Sequence, residues 1–204
     1  MNQHRKILRL VELAVLLAVL LLLEVTGLGM LKTFGLELTI MQLPVIIGAV
    51  VIGPGGGAAL GLAFGLISFW ECFGKSAFGV ALLSINPFLT FLVCVPTRTL
   101  MGYLCGLIFR GLHGLTRGKK TDLLSYLGAS LSGALLNTAL FMGTLCACFY
   151  RTEYIQAFAA QLGAGNVFVF IALFVGVQGL VEAGLCTVVG TVVSRGTHRA
   201  LHRA

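Results

Sequence analysis

Apolar residues run along the chain in six blocks, and the polar residues collect mostly in the gaps between them. The blocks fall at about 7–28, 40–52, 58–70, 86–109, 122–149 and 165–193. A helix needs about 20 mostly apolar residues to cross a bilayer core. The first, fourth, fifth and sixth blocks are long enough. The second and third are short and are separated by Gly53-Pro54-Gly55-Gly56-Gly57, a strong turn signal. They are expected to pack as a hairpin against the longer helices. Asn86-Pro87 reads as a helix start, a capping residue followed by proline in the first turn. Gly29–Thr39, Glu71–Ile85, Gly111–Thr121 and Tyr150–Ala164 read as linkers and loops. Small residues recur at helical spacing in two blocks. Ala14 and Ala18 form one such face, and Gly57, Gly61 and Gly65 another. Such faces let a second helix approach closely. The pattern predicts an all-α membrane protein, a single transmembrane domain over residues 1–204 with six transmembrane helices.

Composition supports this. The chain is 58% hydrophobic and 10% charged, with a mean hydropathy of +1.01. Soluble domains carry about 25% charged residues, so no soluble catalytic module is expected. The N-terminus resembles a signal peptide, with basic residues before an apolar run. That run reaches about twenty residues and lacks a small-x-small cleavage site before Thr26, so it reads as the first span.

The net charge of +7 is explained by topology rather than by nucleic acid. With a cytoplasmic N-terminus and six spans, ten of the fourteen Lys and Arg residues fall inside, at 5, 6, 9, 110, 117, 119, 120, 195, 199 and 203. Lys32, Lys75 and Arg151 fall outside, and Arg98 lies within a span. That bias follows the positive-inside rule with both termini cytoplasmic. A nucleic-acid surface would cluster its basic residues on one face among aromatics.

Arg98 is the residue that needs a reason. It lies about twelve residues from each end of the fourth block, about 18 Å from either end of a helix. A charge at that depth costs about 2.5–3.5 kcal/mol on insertion scales. Pro96, two residues earlier, removes a helix hydrogen bond and can bend the segment. Asn137 lies at a similar depth below the outer end of the fifth block, and Gln178 at a similar depth in the sixth. Glu182 is one turn deeper, on the face of Gln178. A guanidinium suits a carboxylate or phosphate, and carboxamides both donate and accept. The set fits a small anion bearing hydroxyl or amide groups. Each member also has a plainer reading. Arg98 and Glu182 would satisfy each other as a buried pair. Asn137 and Gln178 would serve as interhelical hydrogen-bonding groups. Trp70 would anchor the outer interface or close the pocket mouth. Glu24 and Glu71 read as solvated or interfacial.

Enzyme chemistry finds little support. His4, His113, His198 and His202 all fall in cytoplasmic segments, so the faint protease-like Gly128-Ala129-Ser130-Leu131 has no membrane histidine as base. Gly74-Lys75-Ser76 mimics the end of a phosphate-binding loop, but Phe69 stands where that loop needs glycine. The six cysteines form no Cys-x-x-Cys or Cys/His cluster and read as small packing residues, with no metal site. No cofactor is expected.

The chain resembles the substrate-binding S component of an energy-coupling factor (ECF) vitamin transporter. The six-span layout, Ala14-x-x-x-Ala18, the run Leu38-Thr39-Ile40-Met41-Gln42-Leu43-Pro44-Val45-Ile46-Ile47-Gly48, the following Gly53-Pro54 and the glycine-rich third helix carry the resemblance. Within that family it looks most like pantothenate-type members. The resemblance implies ligand contacts at Trp70, Arg98, Asn137 and Gln178, and docking through Ala14 and Ala18. It implies three partners: a transmembrane coupling protein and two cytoplasmic ATPases that drive uptake. It also implies that the loaded subunit topples in the membrane. Two other readings stand beside it. One is a stand-alone, ion-coupled transporter of a small organic anion, with Glu182 as proton carrier. The other is a membrane scaffold in which the polar layer is coincidence.

Overall fold

The structure, a computed structural model, describes residues 2–27, 29–33, 36–116 and 122–203. Side chains are described for these except at 2, 4, 5, 30–33, 36–38, 122, 177, 178, 199 and 201–203. The basic positions Arg117, Lys119 and Lys120 therefore lie outside the described residues. Eight helices and one short hairpin are described: α1 (Asn2–Thr26), β1 (Met30–Thr33), β2 (Leu36–Thr39), α2 (Gln42–Val51), α3 (Pro54–Glu71), α4 (Ala77–Ile85), α5 (Pro87–Thr116), α6 (Asp122–Phe149), α7 (Glu153–Gln161) and α8 (Val167–Arg203).

α2 is the central strut. It is apolar all round except for Gln42, nine of its ten residues are buried, and it packs against α1, α3, α5, α6 and α8. A helix with no polar face is stable only when enclosed on every side. Gly53, at φ 108°, reverses the chain after α2, and Pro54 begins α3 where its missing N–H costs nothing.

α3 lies along α5 at backbone contact, and the glycine stripe is the reason. A Cβ on Gly57 would sit 2.3 Å from the Gly102 carbonyl oxygen, and one on Gly61 2.3 Å from that of Arg98. One on Gly65 would sit 2.7 Å from the Val95 Cα. α1 covers the other side of α2 and α3 with Leu13, Leu16, Leu17 and Leu20. Ala14 and Ala18 lie on its exposed side.

Three segments depart from the sequence reading. The linker 29–39 holds an antiparallel ladder pairing Met30 with Thr39 and Thr33 with Leu36. The loop 71–85 contains α4, because Ser76 caps it by accepting from the Gly79 amide (3.2 Å) and an apolar run follows. The loop 150–164 likewise contains α7, with Glu153 in its first turn where the helix dipole favours an anion. Asn86 does start α5, its Oδ1 accepting from the Leu89 amide at 3.1 Å.

By length and composition, α5 and residues Leu123–Phe149 of α6 can each cross a membrane. α8 is a third if its two limbs, Val167–Gly176 and Gly179–His198, are one span bent by 57°. Gly176 takes φ 43° and ψ −143° at the break, so the sixth block is bent. The first three blocks fall short of the same standard for physical reasons. α1 carries Arg9, Glu12 and Glu24, α2 has ten residues, and glycines dilute the hydropathy of α3.

The α3–α5 contact is directly testable. Gly61→Ala is expected to lower stability by about 1–3 kcal/mol through overpacking, read as a reduced unfolding temperature in detergent. Gly55→Ala meets open space and should stay within about 1 kcal/mol of the parent.

Candidate ligand site around Arg98

The carbonyl of Arg98 faces Gly61, so α3 fixes where the side chain leaves α5. The guanidinium lies between two aromatic rings, 4.9 Å from the centroid of Phe64 on α3 and 5.0 Å from that of Phe141 on α6. Its Nη1 donates back along α5 to the carbonyls of Val93 (3.3 Å) and Cys94 (3.2 Å). Nε is buried and has no partner. Among the described residues Arg98 makes no ion pair with a carboxylate. Two long carbonyl contacts and a pair of cation–π contacts, each worth about 2 kcal/mol at best when desolvated, hold the cation. They neither neutralise it nor use all its donors.

Helix packing shows what shares its level. Val45 of α2 meets Gly102 of α5, Ile46 meets Gly133 of α6, and Ile46 also meets Gly190 of α8. One helical turn toward the β-hairpin from these contacts lie Met41 and Gln42, Arg98, Asn137 and Cys186. Gln42 is buried, and its Oε1 has no partner. The Asn137 Oδ1 is buried without a partner as well, one turn along the same face of α6 from Phe141. Three helices thus bring one unpaired donor and two unpaired acceptors into the same layer. A buried polar atom left unpaired costs about 1–3 kcal/mol, so the layer favours a ligand that accepts from Arg98 and donates to the two amides.

Glu182 plays a different part. It is buried, and its Oε1 accepts from the Thr39 backbone amide at 2.6 Å. It therefore fastens the end of β2 to α8 rather than pairing with Arg98. The side chain of Gln178 lies outside the described residues; its backbone sits at the break that follows Gly176. Trp70 is 69% exposed and leans on Phe73, and it does not join Phe64 in facing Arg98. Glu24 forms an ion pair with Lys75, tying the α3–α4 connection to the end of α1 and holding the Lys75 ammonium above its ordinary range. Glu71 is buried, not solvated, with Oε2 unpartnered.

Sequence reasoning passed over Gln42, Phe64 and Phe141. For Gln42 a signal existed, since it is the only polar side chain in α2. Phe64 and Phe141 carry none, because an aromatic in an apolar block looks like any other core residue. Among the described residues no three His, Cys, Asp or Glu side chains gather as metal ligands.

The arrangement defines a helical membrane protein with a layer of unpaired polar atoms around one half-buried cation. Residues 8–194 match the family of the ECF transporter, substrate-specific component. The chain belongs to that family. It is a membrane transport subunit that takes a small-molecule substrate and works with an ECF coupling protein and ATPases; it is not an enzyme. A search of curated proteins gave no match.

The anchoring role of Glu182 makes a specific expectation. A hydrogen bond to a charged group is worth about 1.5–3 kcal/mol. Glu182→Leu should speed hydrogen exchange at the Thr39 amide by about tenfold or more, whereas Glu182→Gln, which keeps an acceptor, should change it less.

Proposed function

We propose that this subunit binds a small carboxylate vitamin, with pantothenate favoured, in the layer formed by Gln42, Arg98 and Asn137. The guanidinium carries the reading, because its buried Nε is an unused donor and it has no carboxylate partner among the described residues. Pantothenate has a carboxylate for Arg98, and an amide and two hydroxyls that donate to the carbonyl oxygens of Gln42 and Asn137. Gln178, beside the Gly176 break, would complete the site from α8. Trp70 would act at the interface near the mouth. Glu182 would hold the hairpin as a cover.

In this reading the chain crosses the membrane six times, with both termini cytoplasmic. The short α2 and the glycine-rich α3 cross inside a jacket of longer helices. Ala14 and Ala18 form the docking face for the coupling protein. Support comes from their exposure on α1, since small side chains admit a close helix partner. The partner module supplies ATP hydrolysis by two cytoplasmic ATPases.

Binding of radiolabelled pantothenate to the purified subunit tests the site. Arg98→Ala should weaken it by about 100-fold or more, the scale of a lost charge-assisted, desolvated contact of about 3 kcal/mol. Asn137→Leu should weaken it by about tenfold. Unchanged affinity in Arg98→Ala would overturn the site. For docking, Ala14→Trp should leave binding intact and abolish co-purification with the coupling protein. Ion-driven uptake by the chain alone in vesicles would favour a stand-alone transporter instead.

A further inference from the structure

Six cysteines are present and free, yet two of them face each other across the α3–α5 contact. The Sγ atoms of Cys72 and Cys94 are 4.0 Å apart. Both residues are about 5% exposed. Cys72 is the residue that ends α3, and its thiol also donates to the Ser68 carbonyl at 3.3 Å. α4 presses on it from the other side, since a Cβ on Gly79 would sit 2.7 Å from the Cys72 sulfur. The pair therefore stands where α3, α4 and α5 converge, one turn of α5 from Arg98. Cys105 is differently engaged, donating to the Ala129 carbonyl at 3.3 Å. Twenty-two positions separate the paired residues, so no short spacing motif announces them.

We propose that Cys72 and Cys94 are a redox-active dithiol that closes to a disulfide and locks α3 to α5 beside the ligand layer. A disulfide has sulfurs about 2.05 Å apart, so the two must approach by about 2 Å. The glycine contacts keep the backbones from coming nearer, and rotation of the two side chains supplies the movement. The oxidant is a peroxide, small enough to reach a nearly buried sulfur. One sulfur attacks a peroxide oxygen; the O–O bond breaks, a water leaves, and a sulfenic acid forms. The second thiol attacks that sulfur, the S–O bond breaks, and its oxygen leaves as a second water with the thiol proton. Two thiols and one hydrogen peroxide thus give one disulfide and two waters.

The closed bond joins the end of α3 to the turn of α5 whose Val93 and Cys94 carbonyls seat the guanidinium. Oxidation stiffens that seat. Slower ligand exchange is the consequence, and this consequence alone rests on the binding reading above.

Hydrogen peroxide treatment of the purified full chain, followed by non-reducing peptide mapping, tests the bond. Most molecules should yield a peptide cross-linked between 72 and 94, lost in Cys72→Ser and reversed by dithiothreitol. The oxidised protein should unfold about 5 °C higher than the reduced one, with no such rise in Cys72→Ser. Radiolabelled pantothenate should leave the oxidised protein several-fold more slowly. Both thiols remaining open to alkylation, or cross-links through Cys146 or Cys148 instead, would overturn the proposal. A 72–94 bond with unaltered dissociation would overturn its link to the ligand layer. Failure of the reduced protein to bind pantothenate would count against the vitamin assignment while the mapping still decides the dithiol.

Discussion

A half-buried guanidinium in an apolar helix bundle is the constraint around which the other elements are arranged. Its charge persists at any relevant pH, so burial does not neutralise it. The protein gives it two aromatic faces and two carbonyls of its own helix, and leaves Nε without a partner. That is enough to keep the side chain in place and too little to quench it. The aromatic faces matter for position as well as for energy. Phe64 and Phe141 come from different helices, so the position of the guanidinium depends on how α3 and α6 both pack against α5.

Glycine makes that placement possible. Side chains normally hold helix axes 8–10 Å apart. Gly57, Gly61 and Gly65 remove that spacer, and α3 meets the backbone of α5 at Gly102, Arg98 and Val95. The same contact carries Phe64 to the guanidinium and Cys72 to Cys94. One sequence device therefore sets the cation, one wall of its enclosure and the thiol pair together. α2 completes the layer because it is enclosed by five neighbours, which lets its single carboxamide, Gln42, remain in the interior.

The two roles proposed for this subunit fall on separate faces. The polar layer lies among α2, α5 and α6, and Glu182 of α8 holds the end of β2 by the Thr39 amide. α1 keeps its leucine face on the core and its alanines outside. In the proposed function, ligand and partner would therefore meet different elements, so a change in one surface need not disturb the other.

Some of this was written in the local sequence. The apolar blocks marked the helices, Asn86-Pro87 marked the start of α5, and Gly53-Pro54 the turn into α3, because each depends on neighbours a few residues away. The family could be named from such local runs as well. Arg98 and Asn137 were legible because a polar group in an apolar block is conspicuous wherever it ends up. The α4 and α7 helices were missed because each has only nine residues, too few to cross a membrane. The role of Glu182 was not legible either, since its partner is a backbone amide 143 residues away. Sequence alone determined that a charge would lie inside this membrane protein. Only the tertiary structure decided that its neighbours would be Phe64 and Phe141 rather than Glu182, and that Cys72 would meet Cys94. Those contacts join different helices, and the ones between α3 and α5 depend on how closely glycine allows the two backbones to approach.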